Sequence, residues 1–422
     1  MTRGQLQVNP AFSLAVRVPT TAVERVRRVV AEAPGAAACL VDHPRDDSHP
    51  RDDSHSDGDT GFTVVTVEAD GADTLNWLDA TLRARLGTDL LDVTDLAFSV
   101  AAGGKLGLLP LARIVTDLDI AQLDADADRR VVTHLAANPR AADRYTGRAR
   151  RVALLSDGTA VLDLEPIAAS TALPALESQA LLLHRASGLD VIPMPVAAPR
   201  AADVVSAISL LAPGFGATVL VHTDLARVAV IRDGLADAGL VVLDAVNDGL
   251  AVAAAAAVLS TLRAQGTQPP AARVVIVDPS RGGELAGLLV AAGVGDITLY
   301  DPVRYGIAAL HQLTAEAGAV DLVIDLIGLA APPTTVQVLR TRPQTPPRFA
   351  AATTAPRPLH ALPGLLTAAL AAHRPPTTAA RLAAARALSD LAASGDLLPP
   401  LDHPDLTTKI AAAAAAALPA DG

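Results

Sequence analysis

Proton transfer, metal binding and nucleophilic chemistry each need particular side chains, and this chain is poor in several of them. In 422 residues there are two lysines, Lys105 and Lys409, one cysteine, Cys39, and three tyrosines, Tyr145, Tyr300 and Tyr305. A single cysteine excludes an intramolecular disulfide and any cysteine-built zinc or iron-sulfur centre. His222, Asp224, Asp244 and Asp248 form a candidate cluster, since imidazole with carboxylates suits Mn2+ or Zn2+. Acids at loop edges are as readily explained as solvated side chains. His184 is a lone histidine on an apolar segment, to be read either as a base or as a satisfied surface residue. A perfect tandem repeat, HPRDDS at His43 to Ser48 and again at His49 to Ser54, is followed by His55. Its histidines and acids have metal-ligand chemistry, but low hydrophobicity, proline and mixed charge make it a disordered insert.

The elements that must position these groups follow from periodicity. Residues 11 to 102 alternate as FSLAVRV, TTAVERVRRVVAEA, AAACLVD, GFTVVTVEA, ADTLNWLDATLRARLG and LLDVTDLAFSV, a strand, helix, strand, strand, helix, strand order. That βαββαβ order is ferredoxin-like. Further on, the helix AVAAAAAVLSTLRAQG leads to a strand at Ala272 to Val277, a turn ending at Gly282, the helix ELAGLLVAAG and the strand ITLY before Asp301. A strand, turn and helix with an acid about 20 residues past the turn is the dinucleotide-binding arrangement, with Gly282 and Asp301 as its candidate contacts. Neither alanine-rich run, Leu250 to Leu262 or Ile410 to Leu418, gives the roughly 20 strongly apolar residues of a spanning helix. No export signal is visible, and a cytoplasmic protein is expected. The net charge of -11 is dispersed, without an aromatic-interleaved basic patch, so a nucleic-acid surface is not expected.

Between Arg151 and Leu164 the run RVALLSDGTAVLDL reads as two apolar strands folded back by Ser156-Asp157-Gly158, a hairpin signal. With LPALESQALLLHRASGLDVIPM at Leu173 to Met194 and LLAPGFGATVL at Leu210 to Leu220, it resembles the substrate half of a bacterial NAD(P)-dependent malic enzyme. LPGLLTAAL and RLAAARALSDLAA are similar to that family's tail in order and spacing, so the resemblance covers essentially the whole chain. It implies an α/β fold in three parts. These are an ACT-like domain at 1 to 102 with an insert at about 43 to 60, a substrate-type domain at 103 to 245, and a Rossmann-like doubly wound parallel-sheet domain with C-terminal helices at 246 to 422. ACT domains often bind an amino acid at a Pro-Gly turn after the first strand. Here that turn is Val18-Pro19-Thr20-Thr21, so a dimerisation or packing role fits equally.

The family oxidises malate with NAD(P), then loses CO2, using a base, an acid and hard oxygen ligands for Mg2+ or Mn2+. By the resemblance, the lysine of an EGKALLFK-like helix corresponds to Gln179 and the tyrosine of an AYTPGVA-like segment to Gln122. The acids of an LED segment correspond to Val221 and His222, and the central acids of HDDQHG to Ala245 and Val246. GAGAAG becomes Val277-Asp278-Pro279-Ser280-Arg281-Gly282, keeping one glycine, and the asparagine of an ANPTPE-like segment becomes Thr353. The expectation is a malic-enzyme-like homodimer without catalytic or metal-binding residues, a pseudoenzyme with a binding or regulatory role and no firm cofactor. Two alternatives stand beside it, an active metal- and NAD(P)-dependent malic enzyme and an altered activity on another small organic acid.

Overall fold

The computed structural model describes residues 8–41, 61–107, 109–112, 114–162, 164–315, 320–326, 336–341 and 355–419. The tandem repeat and Thr353 lie outside the described residues. The chain divides into two compact units near Lys105.

In the first unit, β1 (Asn9–Pro19), β2 (Ala37–Val41), β3 (Phe62–Ala69) and β4 (Asp92–Asp95) form an antiparallel sheet in the order β2-β3-β1-β4. Helices Val23–Ala31 and Ala72–Leu86 cross over it, which is the expected βαββαβ order. Alternate residues of the central strands, Leu14, Val16 and Val18 with Val65 and Val67, point into one core with Val26, Leu78 and Leu82. The turn after β1 is closed by Thr20, whose amide donates to the Gly61 carbonyl at 3.1 Å. One expected strand is corrected. LLDVTDLAFSV stops being a strand at Asp95, whose side chain accepts from the amides of Ala97 and Phe98 and starts the helix Leu96–Ala101.

The second unit holds two parallel four-stranded sheets. The first contains β5 (Arg151–Ser156), β6 (Asp190–Pro195), β7 (Ala217–Leu220) and β8 (Val242–Asp244), ordered β6-β5-β7-β8. Pro193 and Pro195 fall on β6, an edge strand, where a missing amide donor is tolerated. The second contains β9 (Arg273–Val277), β10 (Asp296–Tyr300), β11 (Leu322–Asp325) and β12 (Gln337–Arg340), ordered β10-β9-β11-β12. In each sheet the third strand crosses to the far side of the first. A crevice therefore opens at the carboxyl ends of β5 and β7 and of β9 and β11, where doubly wound sheets take ligands. The helix Ala251–Gln265 has residues 251 to 258 buried, and its alanines allow the close approach of the C-terminal helix Thr378–Leu391. No helix among the described residues is long and apolar enough to cross a membrane.

The expected hairpin at Arg151 to Leu164 does not form. Both edges of β5 are taken, by β6 and β7, so no returning strand can pair with it. Ser156-Asp157-Gly158 is instead the loop leaving the carboxyl end of β5. Its Asp157 side chain is fully buried, pairs with Arg227 at 2.7 Å and accepts from the Thr159 hydroxyl at 2.7 Å. The glycine remains necessary for a different reason. Gly158 has φ +79, and a Cβ there would collide with the Ile167 carbonyl. Gly158→Ala is expected to destabilise the protein by about 2 kcal/mol, read as a lower urea midpoint with an unchanged slope. An unshifted midpoint would mean that the loop is not held as described.

Candidate functional site

At the switch point of the first sheet, Gln179 projects from the helix Leu173–Ser187 that follows β5, and His222 leaves the end of β7. Their side chains meet, Gln179 Nε2 to His222 Nε2 at 3.3 Å. His222 sits at φ +51, a left-handed conformation unusual for a residue with a Cβ, and its carbonyl accepts from the Ala160 amide at 3.1 Å. Burial lowers its pKa, so the imidazole is neutral at neutral pH and can accept the Gln179 amide hydrogen. Neighbouring Val221 is 2% exposed and donates its amide to Leu155 O at 3.0 Å.

Beyond β8 the chain makes one π-helical turn, Val246–Leu250, in which Leu250 N donates to Ala245 O five residues back. This turn faces Asp244 and Asp248 into a buried ionic network. Asp248 Oδ1 accepts from Arg381 Nε at 2.7 Å and its Oδ2 from the Asp244 amide at 2.8 Å. Asp244 accepts from Arg232 at 3.0 Å, from Asn247 Nδ2 at 2.9 Å and from the amides of Val246 and Asn247. Glu284 receives Arg381 Nη1 and lies 3.5 Å from Arg232, while its own amide donates to Asn247 Oδ1 at 2.8 Å. Complete burial, with Asp244 alongside, pushes the Asp248 carboxyl up to about 6 against the pull of Arg381 and Arg232. Burial opposes the Arg381 charge, and Asp248 with Glu284 more than offsets it, so that guanidinium is held charged.

The turn after β9 is satisfied internally. Asp278 is left-handed at φ +56, and its carboxylate bonds the Ser280 hydroxyl and, at 3.1 Å, Arg281 Nε. Arg281 N donates to Asp278 O and Gly282 N to Pro279 O, both at 3.1 Å, while the Glu284 amide is held by Asn247. Pro279 has no amide hydrogen to give. The amides of Arg281, Gly282 and Glu284 are thus engaged, Pro279 has none, and Asp278 adds a negative charge. Gly282 retains its packing purpose, because a Cβ there would stand 2.9 Å from Leu326 Cδ1. Asp301 caps the following helical segment, accepting from Val303 N at 2.9 Å and Arg304 N at 3.2 Å.

The candidate cation cluster is dispersed by these contacts. His222 faces Gln179, Asp224 caps the helix Leu225–Gly234 through the amides of Ala226 and Arg227, and Asp244 and Asp248 face guanidiniums. Among the described residues no group of three or more His, Cys, Asp and Glu is arranged to hold a metal ion. His184 is exposed and bonds the Leu189 carbonyl at 2.7 Å. Gln122 is exposed at the end of the short helix Asp117–Ala121, and Ala245 and Val246 are half-buried at the start of the π turn. Tyr145 packs edge-on against His134 at 5.5 Å rather than on β5. Sequence reading missed Arg232, Glu284 and Arg381; Arg232 lies in the last turn of its helix, Glu284 at a helix start and Arg381 one turn past the cap Thr377, places that do not themselves announce an ionic network.

Two parallel sheets, each with a switch point between its first and third strands, define an α/β protein with doubly wound, Rossmann-like sheets. No family model matches the chain. The NAD-dependent malic enzyme of Geobacillus stearothermophilus is 28% identical over 250 residues, 59% of this chain and 52% of that protein. NAD-dependent malic enzyme 1 of Bacillus subtilis is 25% identical over 249 residues, 58% of this chain and 54% of that protein. The chain therefore matches about half the length of these curated relatives. Among solved structures, the NAD-dependent malic enzyme of Thermotoga maritima superposes with a TM-score of 0.67 at 18% identity, covering 78% of this chain and all of that one. The malic enzyme of Pyrococcus horikoshii gives 0.64 at 19% identity, covering 74% and 86%. In sequence over about half the length of these relatives, and in fold, the chain is similar to malic enzymes.

The buried network carries a pH signature. Asp248 binds its proton more tightly folded, at about 6, than at the ordinary carboxyl value of 3.8, so its contribution to stability is full below 3.8 and is lost as pH rises through about 6. Urea unfolding of the protein and of Asp248→Asn, which does not titrate, between about pH 4 and about pH 8 measures this. The stability difference, protein minus variant, should fall across that window; a flat difference would contradict it.

Proposed function

We propose that this chain is a malic-enzyme-like protein that does not turn over malate and acts through binding or regulation, as a cytoplasmic homodimer. The three-part division at about residues 102 and 245, with the first part ACT-like, belongs to the same proposal. The observation that carries it is the Gln179 and His222 pair at 3.3 Å beside buried Val221. Oxidising a secondary alcohol requires a group that removes the hydroxyl proton, and an amide does not take up a proton near neutral pH. No lysine lies anywhere between Lys105 and Lys409, so the conclusion does not depend on the alignment of one helix. His222, the remaining titratable group of the pair, has its pKa lowered by burial and its Nε2 facing an amide.

The residues present do not fit a divalent cation. Val221, Ala245 and Val246 offer no side-chain oxygen, and the nearby acids Asp244 and Asp248 already answer Arg232 and Arg381. Nor does the turn at Val277 to Gly282 fit a diphosphate, since the amides of Asp278, Arg281 and Gly282 are engaged, Pro279 offers none and Asp278 brings a negative charge. Gly282 and Asp301 keep the positions of a dinucleotide site but have packing and capping contacts that account for them. This favours the degenerate reading over an active metal- and NAD(P)-dependent enzyme and over an altered acid substrate. An exposed apolar arm supports self-association. Leu109, Leu111, Leu118, Ile120 and Val132 are each more than half exposed along residues 109 to 132.

Purified protein with malate, Mn2+ and either NAD or NADP, followed at the absorbance of reduced nicotinamide, should give no turnover, and Gln179→Lys alone should not create any. A rate near the ~10 per second of ordinary enzymes overturns the reading. Light scattering should give twice the chain mass, and Leu118→Glu with Ile120→Glu should shift it towards one chain mass; a monomeric protein would remove the homodimer from the proposal.

A further inference from the structure

A second cavity, apart from the Gln179 crevice, opens beside the buried network. Its volume is about 240 Å3. Arg381, 4% exposed, lies at its floor, and Glu284, Gly287 and Thr378 are exposed around it. Ala251 and Leu288, both buried, supply an apolar wall. Two donors here are unanswered. Arg381 gives Nε to Asp248 and Nη1 to Glu284, while its buried Nη2 has no hydrogen-bond partner among the described residues. Thr378 begins a 14-residue helix whose first-turn amides have no acceptor within the helix, and Thr377 Oγ1 satisfies only that of Ala380.

A buried guanidinium N–H and a helix N-terminus both call for an oxyanion. The surrounding charge argues against a bare one. Arg232 and Arg381 already face three carboxylates, Asp244, Asp248 and Glu284, so another isolated negative charge would enter a cluster with an excess of them. A ligand that also brings a cation for the rim carboxylate of Glu284 avoids this. We propose that the cavity binds a small zwitterion, an α-amino acid with a short apolar side chain. Its carboxylate meets Arg381 and the N-terminus of helix Thr378–Leu391, its ammonium meets Glu284, and its side chain lies against Ala251 and Leu288. Gly287 leaves the room: nothing stands within 4 Å of where its Cβ would be. The inference does not rest on the absence of malate turnover.

Isothermal titration of the full chain with L-alanine and L-valine tests it, against propionate, isobutyrate, ethylamine and inorganic phosphate as single-charge controls. Saturable binding of an amino acid, with every control at least about tenfold weaker, is expected. Gly287→Leu fills the open space without touching a polar group and, like Glu284→Gln on the exposed rim, should weaken amino acid binding by about tenfold or more. Thermal melts of both variants report that the fold is kept. The proposal is overturned if neither amino acid binds, if propionate or phosphate binds as well as its zwitterionic counterpart, or if folded Gly287→Leu binds unchanged.

Discussion

The second unit is organised around one buried ion pair, Asp248 with Arg381, at 2.7 Å and with both side chains 5% exposed or less. The pair joins residues 133 positions apart, tying the π-helical turn after β8 to the helix Thr378–Leu391. Through Glu284 and Asn247 it also holds the start of the helix after β9, and through Asp244 and Arg232 it holds the first sheet. Both parallel sheets and the tail thus meet in one cluster. Removing one partner of such a pair leaves an uncompensated buried charge at a cost of about 3–5 kcal/mol, whereas an apolar replacement of both can be neutral. The cluster's chief structural consequence is therefore geometric. It fixes where the loops at the strand ends lie.

That arrangement competes with metal-assisted chemistry for the same atoms. A carboxylate that accepts a guanidinium and backbone amides has few lone pairs to offer a cation; Asp244 accepts Arg232 and two amides, and Asp248 accepts Arg381 and one. The turn after β9 shows the same logic with the sign reversed. Its amides, which would face a diphosphate in a glycine-rich turn, close on Asp278, Pro279 and Asn247. In both places side chains of the chain itself answer the polar groups at the strand ends.

Much of the fold was legible because periodicity reports burial, and burial is what the sheets and helices have in common with their relatives. The βαββαβ order, the alanine-rich helix Ala251–Gln265 and the unit from β9 to β10 were all readable in this way. The hairpin reading failed because Asp157-Gly158 is a local signal, and the decision was made by strands β6 and β7 occupying both edges of β5. Asp95 was legible as a cap but was hidden by the apolar run around it. For the site, Gln179, Val221 and Val246 could be named from the sequence, but their contacts could not. Nothing near Asp248 in sequence announces Arg381, and the left-handed His222 facing Gln179 depends on where β7 ends.

The relation between the two sites follows from electrostatics. Lowered basicity at His222 and raised basicity at Asp248 have the same leading cause, desolvation, which disfavours whichever form carries charge. At His222 desolvation leaves a neutral ring beside a neutral amide, a pair that needs no counter-charge and gives a substrate anion nothing to bind. At Asp248 it meets two guanidiniums and a second carboxylate, so charge is retained but balanced within the protein. The remaining imbalance is at Arg381 Nη2, a buried donor with no acceptor among the described residues, on a side chain that lines a cavity whose rim carries a carboxylate. The donor left without an acceptor among the described residues thus belongs to the space between three helices and not to the crevice between β5 and β7. A ligand there must be neutral overall and polar at one end, because any net charge would have to be answered by a cluster that is already paired.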